Sequence, residues 1–274
     1  MREDQGLLGP DSVAWRVIGH PVSLVGGLRS LIVQSLHPLA MAGVAQHSNY
    51  KHRPLDRLRR TAHYVAATAF GDTAAAEKAA ATVRRVHSKV RGIDPVTGQP
   101  YSADDPETQV WVHAVEWHSF MAAYRTYAGG LSDDEQDRYL SEGVRIAALL
   151  GTPAEMVPAS REEYREYFES VRSRLCISEA AREAIDFVLH PPLTRDLLAL
   201  QVPLRITSAA ALATVPRHLR AMAGIDRPSL LDGVTVAAVR PAAAAIALPV
   251  LRDAPALVLG RRTHGLHVAA RRAA

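Results

Sequence analysis

Arg84, His87 and Arg91 lie one helical turn apart in an Ala-rich stretch, and Arg57 and Thr61 lie one turn apart in the stretch before it. If residues 83–90 are helical, Val83 and Val90 share the face of His87 and turn its imidazole inward. A neutral imidazole in apolar surroundings suits a single axial bond to haem iron. Arg84 and Arg91, on the same side, then suit the haem propionates, because a guanidinium pairs with carboxylates through charge-assisted hydrogen bonds. Arg57 and Thr61, with Tyr64 one turn further on, would set a cation and a hydroxyl above a metal, where they can polarise dioxygen or a substrate oxygen. The same spacings also fit a satisfied core histidine between two solvated arginines, a threonine bonded back to its own helix, and an arginine paired with a surface acid.

Trp111, His113, Trp117 and His118 crowd one further segment. His113 and Trp117 share a face, as do Trp111 and His118; the tryptophans wall the core or a pocket, and His113 is the inward histidine of the two. His113 is read either as a cofactor-lining residue or as a packed structural one. His37, His47 and His52 are read as backbone caps or bridges rather than ligands. Other machineries are missing: there is no G-x-S-x-G elbow, P-loop, G-x-G-x-x-G or H-E-x-x-H pattern. Paired E-x-x-H motifs of a di-iron bundle are absent too. A single cysteine, Cys176, rules out cysteine-built zinc and iron–sulfur sites and any internal disulfide.

The elements that must carry these residues read as helices. Val22 to Leu36 is apolar and stops at His37-Pro38; a short segment follows from Leu39 to Ala45. The next helix starts at Asp56 and runs to Phe70, and Thr73 caps another that ends near Val90, with Gly92 as its stop. Asp105-Pro106-Glu107 opens a helix that reaches Tyr127. Ser132-x-x-Glu135 and Ser160-x-x-Glu163 are capping boxes for two more, and Ser178 caps one that ends at His190-Pro191. A last segment, Leu204 to Ala223, breaks at Pro216 and halts at Gly224. The expected architecture is all-α, a single compact multi-helix domain over residues 1–230 with the cofactor pocket between helices. An Ala/Pro/Arg-rich segment, residues 231–274, follows, partly helical or disordered.

Composition bounds the rest. The 274 residues are 48% hydrophobic and only 5% aromatic, which fits helices packed through small side chains around a core large enough to enclose a cofactor. The net charge of +4 is all in residues 251–274, where five arginines face Asp253 alone. The body is neutral and shows no basic face with interleaved aromatics, so nucleic-acid binding is not expected. The polar start, Met1 to Asp11, is no secretion signal, and Val234 to Leu251 is broken by Arg240, Pro241 and Pro249. The reading is therefore a cytoplasmic protein without a membrane span.

Taken in order, these stretches resemble the DUF2236 family, which includes the rubber oxygenase (latex clearing protein) and the MpaB-type oxygenase catalytic domain. The matching pieces are His37-Pro38-x-x-x-x-Gly43-Val44, Arg57-x-x-x-Thr61-x-x-Tyr64, Arg84-x-x-His87-x-x-x-Arg91-Gly92, Trp111-Val112-His113-Ala114, and the region of Tyr124 and Leu131-Ser132. They cover roughly residues 15 to 225. The resemblance implies an all-α fold with globin-like features and a haem b whose iron is held by His87. By the same resemblance Arg57 and Thr61 lie on the distal side and Arg84 and Arg91 flank the ligand, while His113 lines or supports the site. It implies an oxygenase-type oxidoreductase acting on a small apolar metabolite with dioxygen or peroxide. A peroxidase-like or dehydrogenating enzyme and a non-catalytic haem-binding or scaffold protein are the alternatives. Three departures argue against polyisoprene as the substrate. Arg60 stands where the rubber enzyme has lysine, Met41 to Tyr50 holds no carboxylate, and no export signal is present.

Overall fold

The computed structural model describes residues 4–192, 197–248, 263–266 and 268. Its first three helices are α1 (Val13–Gly19), α2 (Ser23–Gln34) and α3 (Pro38–His47). Ser12 caps α1, accepting a hydrogen bond from the Trp15 N–H; this short helix went unread in the sequence. Pro38 at the first position of α3 makes the sharp exit from α2, and the turn before it is closed by the His37 N–H on the Gln34 carbonyl.

The next pair is α4 (Pro54–Phe70) and α5 (Thr73–His87). α4 begins two residues earlier than the sequence reading, with proline in its first turn. The N-cap of α5 is Asp72, which accepts from the Ala75 N–H at 2.7 Å. Thr73, the expected cap, instead gives its N–H and hydroxyl to Asp4. α5 ends at His87 rather than near Val90, and Gly92 is not its stop. The chain enters β1 (Arg91–Ile93), which pairs antiparallel with β2 (Pro100–Ser102), Gly92 opposite Tyr101. A Cβ at Gly92 would lie 2.8 Å from the Tyr101 hydroxyl, so the glycine is there for that ring. Tyr101 in turn donates to Gln46 of α3 at 2.7 Å, tying the hairpin to the body.

Two further helices are α6 (Pro106–Tyr127) and α7 (Asp133–Ala148). α8 (Arg161–Val171) and α9 (Glu179–Leu189) follow, then α10 (Gln201–Thr214), α11 (Arg217–Ala223) and α12 (Ser229–Ile246). The Ser132/Glu135 box is reciprocal, as read. At α8 only the Ser160 half forms, and Glu163 reaches the Ala159 N–H instead. Gly224 ends α11 in the left-handed region, φ 70°, where a side chain would be strained.

α6 is the axle. Its Trp117, Phe120 and Met121 join one core cluster with α1, α4 and α7, and its Trp111, Val115, Ala123 and Tyr127 join a second with α2, α9, α10 and α11. A helix apolar on both sides is one buried on both sides. α2 lies closest to it: a Cβ on Gly26 would come within 2.8 Å of the Phe120 Cα. By contrast, α5 packs closely on α4 alone, and α4 on α5 and α1. α4 thus shares the first core cluster with the axle through Ala66, Ala69 and Phe70, and α5 packs on the outer side of α4.

α12 runs through the expected boundary at residue 230 and packs on α10 and α6. Pro241 does not interrupt it. Among the described residues α12 is the one single helix long and apolar enough to cross a membrane. α1 and α2 together pass the same test but are bent by 89°. Residues 263–266 form a last helical turn, with Thr263 buried and Leu266 against the first core cluster. The other expectations for the end of the chain, over 249–262 and 269–274, lie outside the described residues.

Candidate functional site

The candidate residues fall on three helices. Arg57, Thr61 and Tyr64 stand at i, i+4 and i+7 on α4, Arg84 and His87 at i and i+3 on α5, and His113 and Glu116 at i and i+3 on α6. The three groups meet electrostatically at Tyr64, whose hydroxyl feels both Glu116 and Arg84 while burial holds its pKa well above the ordinary tyrosine value. Desolvation lowers the His113 pKa to about 4 and raises that of Glu116 to about 7, yet both residues keep some accessible surface.

His87 closes α5, half-buried, and burial lowers its pKa. Its Nδ1 is buried without a partner, and neither ring nitrogen makes a hydrogen bond among the described residues. The satisfied-core reading of His87 therefore fails. The alternative for Thr61 fails as well: its exposed hydroxyl makes no hydrogen bond among the described residues, whereas Thr68, two turns on, bonds back to Tyr64 at 3.0 Å. Arg57 pairs with no acid among the described residues. It donates to the Ser48 hydroxyl at 2.5 Å and lies 5.7 Å from the Tyr50 ring centre, and burial lowers its pKa.

The flanking arginines are placed differently. Arg84, exposed, donates to the Leu149 carbonyl just past α7, a cation at a helix C-terminus. Arg91 is not on the His87 helix at all. It sits in β1, exposed, and folds back onto the Ser88 carbonyl at 2.6 Å. The expected symmetry of two arginines about His87 rested on continuing α5 past its end. Arg60 is exposed and returns to the Asp56 carbonyl of its own helix.

His113 stacks on Trp117, ring centres 5.3 Å apart, and its Nε2 is buried without a partner. Trp117 is fixed in turn by donating from Nε1 to the Tyr139 carbonyl at 2.9 Å. His118 also points inward, on the opposite side of α6, against Tyr164 and Phe168; burial and nearby Arg29 and Arg125 lower its pKa to about 3. It borders a separate open cleft of about 240 Å³ with Met121, Arg125 and Leu140. His37 caps nothing: it is buried beside Trp111 with Nδ1 unpartnered and its pKa lowered to about 4. His47 shares a hydrogen bond with Tyr101 at 3.1 Å.

Glu116 was missed in the sequence. The signal was a lone acid inside the apolar run Ala114-Val115-Glu116-Trp117, one turn beyond His113. Arg29 was a similar signal in α2. It is buried, donates to Ser119 at 2.6 Å and to the Thr214 carbonyl, and burial lowers its pKa to about 10.

No group of three or more His, Cys, Asp or Glu able to hold a metal occurs among the described residues. One free histidine fits a metal whose other ligands come from a macrocycle, and the buried, unpartnered Nδ1 of His87 fits such a group.

The fold is an all-α scaffold of packed helices. Residues 15–247 match the family described as ER-bound oxygenase mpaB/B'/Rubber oxygenase, catalytic domain, and the chain belongs to that family. It is 28% identical over 177 residues to uncharacterized proteins of Mycobacterium bovis and Mycobacterium tuberculosis, an alignment spanning 64% of this chain and 60% of theirs. The fold is similar to that of latex clearing protein LCP in the closed state, with a TM-score of 0.58, 18% identity, and 93% of this chain and 72% of that one covered.

Proposed function

We propose that this protein is a haem b-dependent oxidoreductase of the oxygenase type, acting on a small apolar metabolite with dioxygen or peroxide. The observation that carries the reading is His87: a desolvated imidazole at the end of α5 whose Nδ1 is buried and has no partner among the described residues. When bound, haem b supplies an iron at which an oxygen species is activated. The chain's own residues do the rest. His87 holds the cofactor. Arg57, held against Tyr50 and Ser48, presents a fixed positive charge, and the free hydroxyl of Thr61 orients oxygen one turn along. Arg84 serves a propionate once released from the Leu149 carbonyl, and Arg91 only after turning from Ser88, so Arg84 is the stronger of the two anchors. His113, stacked on Trp117, forms the wall behind the cradle.

The test separates holding from chemistry. His87→Ala is expected to abolish stoichiometric haem incorporation, and full loading of that variant would overturn the assignment. Arg57→Ala is expected to keep its haem and lose about a hundredfold in turnover, the scale of removing one preorganised donor.

A further inference from the structure

Two features of the molecule lie outside the roles assigned so far: the apolar outward face of α12 and the cleft beside His118. The α12 face carries Leu230, Leu231 and Val234, but nothing in the structure indicates what covers it. The cleft goes further. It opens where one face of α6, with His118, Met121 and Arg125 at i, i+3 and i+7, meets one face of α7, with Asp133, Gln136 and Leu140 at the same spacing. Arg161, at the start of α8, closes its rim. Met121 and Leu140 belong to the core and give the cleft an apolar floor.

Its polar groups are left with open valences. Arg161 is committed, holding Asp133 at 2.7 Å and Asp137 at 3.2 Å. Arg125 is exposed and pairs with no acid among the described residues. His118 is fixed by ring contacts, 5.3 Å to Phe168 and 6.3 Å to Tyr164, yet its nitrogens make no hydrogen bond among the described residues. Unlike Nδ1 of His87, they are not enclosed by protein. Gln136 is 4% exposed and gives its Nε2 to the Leu131 carbonyl at 3.0 Å, while its Oε1 accepts no hydrogen bond among the described residues. A polar atom so placed is costly unless something in the cleft satisfies it. A second cation stands behind: Arg29, buried, donates at 2.6 Å to Ser119, the residue after His118, and has no acid partner among the described residues. Arg29 and Arg125 are the charges felt at the His118 ring, which stays neutral.

We infer that this cleft binds a short-chain hydroxy carboxylate. The carboxylate takes the fork of Arg125 and the N–H of His118, the hydroxyl donates to Gln136 Oε1, and the carbon chain lies on Met121 and Leu140. One free guanidinium at the mouth matches one negative charge, and Asp133 beside it disfavours a dianion. A volume of about 240 Å³, under the ~300 Å³ at which pockets for drug-sized molecules begin, limits the chain to a few carbons. None of these residues is assigned to the haem, so the inference does not rest on the functional reading above.

Isothermal titration calorimetry of the full chain with 3-hydroxybutyrate tests it. Saturable one-to-one binding is expected, the same with and without haem supplementation. The neutral amide, 3-hydroxybutyramide, and inorganic phosphate should bind at least about tenfold more weakly. Arg125→Ala, a change at an exposed position, should weaken binding about 10–100-fold, the scale of a hydrogen bond to a charged group. Arg172→Ala, an exposed cation away from the cleft, should leave binding unchanged. An absence of saturable heat would overturn the inference. So would equal binding of the amide or of phosphate, or an affinity that Arg125→Ala leaves in place.

Discussion

Gly143 of α7 faces the indole of Trp117 so closely that an alanine Cβ would sit 2.5 Å from Nε1 and 2.7 Å from Cε2. Ordinary contact begins near 3.4 Å, so the indole would have to move by about 1 Å. That displacement stretches the 2.9 Å bond from Trp117 Nε1 to the Tyr139 carbonyl beyond useful range, and Trp117 is walled in by Tyr139 stacked at 5.2 Å. Overpacking costs about 1–3 kcal/mol. A buried N–H left without its partner costs about 1–3 kcal/mol more. The better helix propensity of alanine returns about 1 kcal/mol. Gly143→Ala is therefore expected to lose about 1–5 kcal/mol, read as a lower urea midpoint and a Tm lower by roughly 2–20 °C for a chain of this size. Gly27→Ala is the control: it lies inside α2 with open space where its Cβ would stand, and should gain about 0.5–1 kcal/mol. Because His113 stacks on Trp117, Gly143→Ala should also disturb the cradle, seen as a changed absorption spectrum of the haem-loaded protein. A Gly143→Ala protein as stable as the wild type would refute the tight seating of the tryptophan and its hold on His113.

Other perturbations follow from buried charge. Arg220 is 4% exposed and donates to Asp232 at 2.7 Å, so Asp232→Ala should cost about 3–5 kcal/mol in urea unfolding, since it strands a buried cation. Asp226→Ala, which removes the exposed Arg217 pair and a longer 3.8 Å contact to Arg220, should cost less than Asp232→Ala. Acid should destabilise the fold. His37, His113 and His118 have folded pKa values of about 4, 4 and 3 against an ordinary 6.5, so the unfolded chain takes up protons first as pH falls below 6.5. Glu116 has the opposite sign: its raised pKa of about 7 makes the folded state bind a proton first between pH 7 and 4.5, which stabilises it there. The net expectation is a loss of roughly 2–4 kcal/mol between pH 7 and pH 5, and a steeper loss in Glu116→Gln. Urea midpoints that stay flat over that range would contradict the burial of these rings.

Much of this fold was legible where the signals are local. Asp105-Pro106-Glu107 gave α6 its start, the Ser132/Glu135 box gave α7, and Gly224 gave the end of α11, because caps and φ-restricted residues act within a few positions. The end of α5 was not legible. Val90-Arg91-Gly92 continues a helical pattern on paper, but Gly92 is held opposite Tyr101, and Tyr101 is fixed by Gln46 from another helix. That non-local pairing moved Arg91 away from His87. Likewise, the row Arg57–Thr61–Tyr64 was readable from helical spacing, while its meeting with Glu116 depends on how α4 lies across α6. Arg29 and Glu116 went unread, although each is a single charge in an apolar run and each is buried in the fold.

The central claim is that His87 holds a haem with an open coordination position. The most direct measurement is the absorption spectrum of the purified protein between about 350 and 700 nm after haem supplementation, reduced, with and without carbon monoxide. A Soret band that shifts when carbon monoxide is added to the reduced protein is the predicted result. A spectrum with no Soret band, or one that carbon monoxide leaves unmoved, would contradict it.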